Sequence, residues 1–362
     1  MNKQDLLNKL NQARPFLSTQ DFIPILTHYC FDSENLVAYN DVAAIKLVLD
    51  SDIKGAVPGS LMLKMLLTVQ EETVRVGMHG EKEIKINSTG SNIKLPLLDP
   101  EEFIFDMPDT EGCDLVQVPL SFLSGLEKTL VSIGDDPLHP ERSGVLWKVR
   151  DNRITLYSTD SRSISIYKWE DQSFFKSDDV DLEVITPMFF CEQLIAIAKN
   201  YADELKTVDL YFNTTENYVI VELNKICHIF TRLIKTEEVT DYDSILKAML
   251  PDDDKDSYCE IPVTMTPALE RAILLNNTGK LDEQKSHITL TGTQLNIRTQ
   301  TESGLVSDEV EFPKEFGDVE FFLDPDLLQR SFKYCTQINV GANILALTDD
   351  ENFQHLISHT SS

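Results

Sequence analysis

Gly55-Ala56-Val57-Pro58-Gly59-Ser60-Leu61-Met62-Leu63-Lys64-Met65-Leu66 changes its period halfway along. An extended apolar run ends at Val57, a proline follows, and Leu61-Met62-x-x-Met65-Leu66 then repeats at helical spacing. The same transition recurs at Val118-Pro119, Thr186-Pro187, Thr266-Pro267 and Asp324-Pro325. Proline suits the first helical position, where its missing N–H would be unpaired anyway, so each of these predicts a helix start. Leu120-x-x-Leu123-x-x-Leu126, Phe190-x-x-x-Leu194-Ile195, Leu269-x-x-Ala272-Ile273 and Leu327-Leu328-x-x-x-Phe332 supply the apolar faces. A sixth helix, with Leu6, Leu7 and Leu10 as its stripe, opens the sequence.

The six starts fall near residues 3, 59, 119, 188, 266 and 326. Between them lie β-rich runs such as Val145-Leu146-Trp147-Lys148-Val149 and Tyr218-Val219-Ile220-Val221. Turn signals separate these runs at Phe31–Leu36, Arg150–Arg153 and Asn213–Asn217. A repeat of roughly 60 residues is too long for a solenoid. It fits one helix plus three or four strands, used six times. Paired units give an α+β chain of three tandem domains, expected at 1–112, 113–251 and 252–362. The second boundary coincides with the acidic stretch Pro251-Asp252-Asp253-Asp254-Lys255-Asp256-Ser257, and the first with the segment from Asp99 to Gly112.

The 362 residues carry 32 Lys and Arg against 60 Asp and Glu, a net charge of −28. Taken whole, that argues against nucleic acid, whose phosphates need cations to displace counterions. The acid is unevenly spread, however. The segments 3–14, 59–70, 119–133, 188–206, 266–276 and 326–337 hold ten basic and seven acidic residues, a balance of +3 that leaves −31 elsewhere. Helices that avoid acid on an acidic β scaffold fit a surface that must tolerate a polyanion, while the remainder repels stray DNA contacts.

Several classes fall away. The polar start Met1-Asn2-Lys3-Gln4-Asp5 does not read as a signal sequence, and no apolar run is long enough to span a membrane. The six scattered cysteines read as free thiols of a reducing compartment. His355-x-x-x-His359 has metal-ligand spacing for a helix but lies in a β-like segment, where that spacing does not converge. Asp252-Asp253-Asp254 with Asp256 could mimic a nuclease's Mg²⁺ ligands, but reads better as a linker. No glycine-rich phosphate loop is present, and no cofactor or metal is expected.

Several stretches, in order, resemble the bacterial sliding clamps, the beta-subunit family of DNA polymerase III. Phe22-Ile23-Pro24-Ile25-Leu26 is similar to that family's Leu-Pro-Ile-Leu, and Gly55-Ala56-Val57-Pro58 to its strand-to-helix step. Ser143-Gly144-Val145-Leu146-Trp147 and Leu156-Tyr157-Ser158-Thr159-Asp160-Ser161-Arg162 resemble its Gly-[Val/Met]-Leu-Phe and Ala-Thr-Asp-Gly-His-Arg motifs. Phe230-Thr231-Arg232-Leu233-Ile234, Asp241-Tyr242 and Arg271-Ala272-Ile273-Leu274-Leu275-Asn276 continue the series.

The resemblance implies a non-enzymatic ring: a head-to-tail homodimer around duplex DNA. Such a ring tethers DNA polymerase and other clamp-binding-motif proteins, and a clamp loader opens it. The implied setting is the cytoplasm, at the nucleoid or in a virus's host. The alternative is an acidic clamp-like adaptor that binds replication proteins without encircling DNA. The family's N-terminal arginine is replaced in the Gln20-Asp21 region, and its loop before Gly144 retains Arg142 as sole basic side chain. That leaves Lys9, Lys64, Lys128, Arg142, Lys199, Arg330 and Lys333 as candidate DNA contacts, with Arg330 and Lys333 expected on one phosphate track. The implied partner pocket comprises Thr159, Arg162, Ile164, Thr240, Ile245 and Leu356. Thr240 stands where the family has proline, and the tail Ser358-His359-Thr360-Ser361-Ser362 is more polar than the family's. The implied dimer contact sets Ile93 and Leu95 against Leu274 and Leu275.

Overall fold

The computed structural model describes residues 1–20, 22–170, 180–236, 240–249, 257–278, 285–341, 343–349 and 352–361. The expected linker at Pro251–Ser257 and its aspartates therefore lie outside the described residues, save Ser257. Seven α-helices occur among the described residues: α1 (Lys3–Ala13), α2 (Gly59–Thr68), α3 (Phe122–Thr129), α4 (Met188–Lys199), α5 (Tyr242–Met249), α6 (Met265–Asn276) and α7 (Pro325–Phe332). Six match the expected starts to within three residues. The additional α5 begins at Tyr242, directly after Asp241, where no proline transition announces it. No described helix is long and apolar enough to cross a membrane.

The chain forms two compact units. The first comprises mainly 1–120 and 189–233. Its eight-stranded antiparallel sheet runs Lys54–Pro58, His28–Asp32, Asn35–Tyr39, Ala43–Val48, Cys227–Arg232, Tyr218–Leu223, Thr207–Asn213, Asp114–Pro119. Its middle is the pairing of Ile45 with Ile229, so strands distant in sequence close one sheet across the boundary expected at 112. Ile25, Leu26, Tyr39, Ala44, Ala56, Tyr218, Ile220 and Phe230 bury one another there. A three-stranded sheet, Arg75–Met78, Glu83–Ser88 and Ser91–Pro96, completes the unit.

The second unit, mainly 121–170, 181–188 and the described part of 234–361, repeats the plan. Its eight-stranded sheet runs Leu182–Pro187, Gly144–Arg150, Arg153–Thr159, Ser163–Glu170, Phe353–Ser358, Ile344–Thr348, Gln337–Val340, Cys259–Glu260. Ile164 opposite Leu356 closes it. A five-stranded sheet runs Gly304–Glu311, Gln294–Thr301, Ser286–Thr291, Val319–Leu323, Thr360–Ser361. Each sheet residue alternates faces, so the β-rich runs bury one side chain in two, or nearly all where both faces are covered.

The turn readings hold in detail. Ser33 and Asn217 have φ of 81° and 65°, and Asp151-Asn152 pairs 51° with 58°, the double left-handed geometry that matches strand twist in a two-residue hairpin. The proline reading needs correction. Only Pro325 takes the first helical position; Pro58, Pro119 and Pro187 end the preceding strands, and Pro267 is the third residue of α6. Proline's fixed φ also suits the last position of a strand, so it marks the joint from either side.

Candidate functional site

The candidate cations lie mostly on helices, but few are uncommitted. Lys9, on α1, donates to the Val48 carbonyl. Lys128, at the end of α3, is half-buried, pairs with Asp349 and lies 5.9 Å from the Phe353 ring centroid. Arg142 donates to Ser161 Oγ at 2.6 Å, with Asp136 and Glu141 carboxylates near. Arg330 pairs with Asp326 one turn back on α7. Lys333 reaches Glu127 at 3.3 Å and the Tyr334 hydroxyl at 2.8 Å, and lies over that ring. Arg330 and Lys333 are thus held by carboxylates rather than presented together. Both remain exposed, and such pairs are worth about 0–1 kcal/mol, so a phosphate can replace the partner. Lys64 on α2 and Lys199 on α4 are exposed.

The pocket candidates gather in the second unit. Ile164 and Leu356 pair across strands within a cluster that includes Leu146, Tyr157, Ile185 and Tyr242, with Ile245 of α5 packed on it. Leu356 is only 1% exposed, so it is a foundation of that cluster rather than an open wall. Thr159 Oγ1 donates to the Ser163 carbonyl at 2.7 Å and accepts from the Ser161 N–H at 3.1 Å. Asp160 caps the same turn, accepting from the N–H groups of Arg162 and Ser163 at 2.9 and 2.6 Å. Arg162 is exposed, and its carbonyl accepts from the Ser358 N–H at 2.8 Å, which ties down the start of the polar tail.

Beside this cluster opens a cavity of about 340 Å³. Thr240 lines it, but most of its wall comes from residues outside the candidate pocket set: Lys148, Tyr157, Glu183, Tyr242 and Asp243. Tyr157 and Tyr242 stack with centroids 5.0 Å apart. Asp243 accepts from Lys148 at 2.5 Å and from the Tyr157 hydroxyl at 2.8 Å. The Lys148 ammonium holds the Asp243 carboxyl below the usual carboxylate range, while burial raises Tyr157. The tyrosine therefore stays a donor and the aspartate an acceptor. The motif holding Tyr157 and the Asp-Tyr pair at 241–242 hinted at this wall; Lys148 reads as an ordinary strand residue until the sheet places it opposite α5.

The interface candidates divide. Leu274 on α6 is 69% exposed, Leu275 is half-buried, and Leu305 on the neighbouring edge strand Gly304–Glu311 is 55% exposed. Arg271 forks onto Asp308, with Nη2–Oδ1 at 2.7 Å and Nε–Oδ2 at 3.1 Å, fixing α6 against that edge. Ile93 is half-buried on the edge strand Ser91–Pro96, whereas Leu95 is 2% exposed and belongs to its unit's core.

His355, His359 and the buried cysteines serve packing. His355 is buried, with Nδ1 2.9 Å from Ser165 Oγ and 3.2 Å from Ser132 Oγ. His359 stacks on Phe321. Burial pushes the Cys30, Cys227 and Cys335 thiols up to about 12.

No family model matches the sequence. Curated relatives do. The beta sliding clamp of Staphylococcus epidermidis is 22% identical over 246 residues, covering 63% of this chain and 62% of that protein. The beta sliding clamp of Staphylococcus aureus is 20% identical over the same extent. The matched stretch thus spans less than two thirds of these relatives' length. Solved structures match throughout. The DNA polymerase sliding clamp of Bacillus subtilis superposes with a TM-score of 0.83 at 18% identity, covering 100% of this chain and 98% of that one. A sliding clamp from Pseudomonas aeruginosa, bound to griselimycin, gives 0.84 at 14% identity, with the same coverage. The chain is a divergent relative of the bacterial beta sliding clamps in sequence, and over its whole length it has the fold of the DNA polymerase III beta subunits.

Proposed function

We propose that this protein is a DNA sliding clamp, a non-enzymatic processivity factor that encircles duplex DNA and tethers a replicative polymerase. The carrying observation is the whole-length likeness to solved clamps at a TM-score of 0.83. The charge division supports it independently: six helical segments sum to +3 within a chain of −28. In this reading 1–112, 113–251 and 252–362 are three clamp domains, and two copies close head to tail. Leu274, Leu275 and Leu305 meet the edge strand bearing Ile93, as a heterologous, closing contact requires. The cluster around Ile164, Thr159, Arg162, Thr240 and Ile245 receives partner peptides from the polymerase, the clamp loader and other clamp-binding proteins. The protein acts in the cytoplasm. Lys64, Lys199, Arg330 and Lys333, being exposed, are the better phosphate contacts; Lys9 and Lys128 serve the fold first.

Topology gives the test. A ring that contacts only phosphates slides freely, so it leaves linear DNA from the ends but not a closed circle. Loaded at high protein concentration onto nicked circular plasmid and freed of excess protein, the complex should persist at moderate salt. Cutting the plasmid once should release it. Equal retention before and after cutting would favour the adaptor, which binds replication proteins without encirclement.

A further inference from the structure

Behind the pocket candidates, on the opposite face of the same strands, lies a buried polar layer. Ile164 pairs with Leu356 on the pocket side, and the next pair along, Ser165 with His355, points the other way. Ser163 shares that second face, and Ser132, in the segment Leu130–Ser132 after α3, meets it there. Ser132, Ser163, Ser165 and His355 are all buried. Apolar residues would fill the space without any demand for partners, whereas buried hydroxyls and imidazoles cost stability unless they find them.

The partners form a series. Ser165 Oγ lies 2.9 Å from His355 Nδ1 and 2.8 Å from Ser132 Oγ, and Ser132 Oγ lies 3.0 Å from Ser163 Oγ. Ser163 Oγ is 3.1 Å from Asp160 Oδ1, the oxygen that also accepts from the N–H groups of Arg162 and Ser163. A carboxylate accepts and a hydroxyl has one hydrogen, so a single direction satisfies every link. His355 Nδ1–H donates to Ser165, Ser165 to Ser132, Ser132 to Ser163, and Ser163 to Asp160. His355 Nε2, which has no hydrogen-bond partner among the described residues, then keeps a lone pair rather than an orphaned N–H. The series ends at a turn that needs support: Ser161 has φ of 74°, a left-handed conformation that a residue with a Cβ adopts at a cost.

We infer that Ser132, Ser163, Ser165 and His355 are positioning residues for partner binding: their hydrogen-bond series fixes the Asp160 carboxylate and so holds the 159–162 turn, with Thr159 and Arg162 on it, in the shape that receives a partner peptide. The inference rests on the pocket reading, which supplies the peptide. The three strand residues face away from the pocket, so they act on it through Asp160 alone. A polar network with every member satisfied favours one arrangement, and breaking any link frees the carboxylate to turn.

The test uses full-length protein with Ser132→Ala and Ser163→Ala, singly and together. Binding of a fluorescein-labelled peptide of the clamp-binding type Gln-x-x-Leu-x-Phe is read by anisotropy, and amide hydrogen exchange is followed at 159–163. Each single change should weaken peptide binding roughly fivefold and speed exchange at the turn. The series is broken once by either change, so the double variant should lose no more than the worse single one. Losses that multiply would overturn the series, as would wild-type affinity in Ser132→Ala. Exchange in the strand Gly144–Arg150 is the control: equal acceleration there marks general destabilisation and would overturn a positioning role. In protein labelled with ¹⁵N-histidine, saturating peptide should shift the His355 ring signals, assigned by their loss in His355→Gln, and Ser163→Ala should abolish that shift. Unmoved signals in the wild type would sink the coupling. Failure of the pocket reading shows separately: wild-type protein would not bind the peptide, while exchange at the turn would still respond to Ser132→Ala.

Discussion

His355 shows what one buried side chain does to stability. Its imidazole is fully enclosed, Nδ1 faces two serine hydroxyls, and Nε2 has no hydrogen-bond partner among the described residues. Burial holds its pKa down at about 4, against the ordinary 6.5. Between those values the unfolded chain takes up a proton that the folded chain refuses. The favourable contribution is therefore complete above pH 6.5 and falls as pH drops toward 4, by about 3 kcal/mol for this group. His355→Gln removes the titration. Urea unfolding at pH 7.5 and 5.0 should show a larger loss of stability for wild type than for the variant. Equal losses would mean that other groups carry the acid sensitivity. Gly125 illustrates a steric counterpart: any Cβ there would run into the Tyr167 ring, so the helix–sheet contact in the second unit requires glycine.

At the scale of elements, short helices need their ends secured. α7 has eight residues, too few to be stable alone, and starts on Pro325 with Asp324 as its cap. Asp324 Oδ1 accepts from the Asp326 N–H at 3.0 Å, satisfying one of the orphan donors of the first turn. Asp324→Ala should cost about 1 kcal/mol, read as a lowered denaturation midpoint with unchanged slope. An unmoved midpoint would mean that Pro325 and the buried Leu327 and Leu328 hold the helix start by themselves. The six expected helices were legible because each shows an apolar stripe, five of them after an extended run. α5 was not, because its place depends on packing Ile245 and Leu246 against a cluster from remote strands.

For the whole molecule, association is the quantity to measure. The proposed ring predicts a solution mass of twice the 41.1 kDa chain. Leu274 and Leu305 are large apolar side chains left on an exposed helix face and edge strand. Leu274→Asp with Leu305→Asp should therefore give folded monomers, visible by sedimentation, because carboxylates are costly to bury unpaired at an apolar contact. A dimer that survives both changes would place the interface elsewhere.

By itself the sequence determined the α+β composition, five helix joints marked by proline and three hairpins marked by turn chemistry, and the separation of acid from the helices. These are local properties, set by period, by φ and by charge along the chain. Only the tertiary structure decided that strands 43–48 and 227–232 share one sheet, and strands 163–170 and 353–358 another. It also decided that Leu356 and Leu95 are core, that Lys9 and Lys128 are committed, and that Lys148, Tyr157 and Asp243 wall a cavity. Those outcomes depend on partners more than a hundred residues away in several cases. An exposed lysine and a paired one have the same letter, and only the fold brings the carboxylate to one of them.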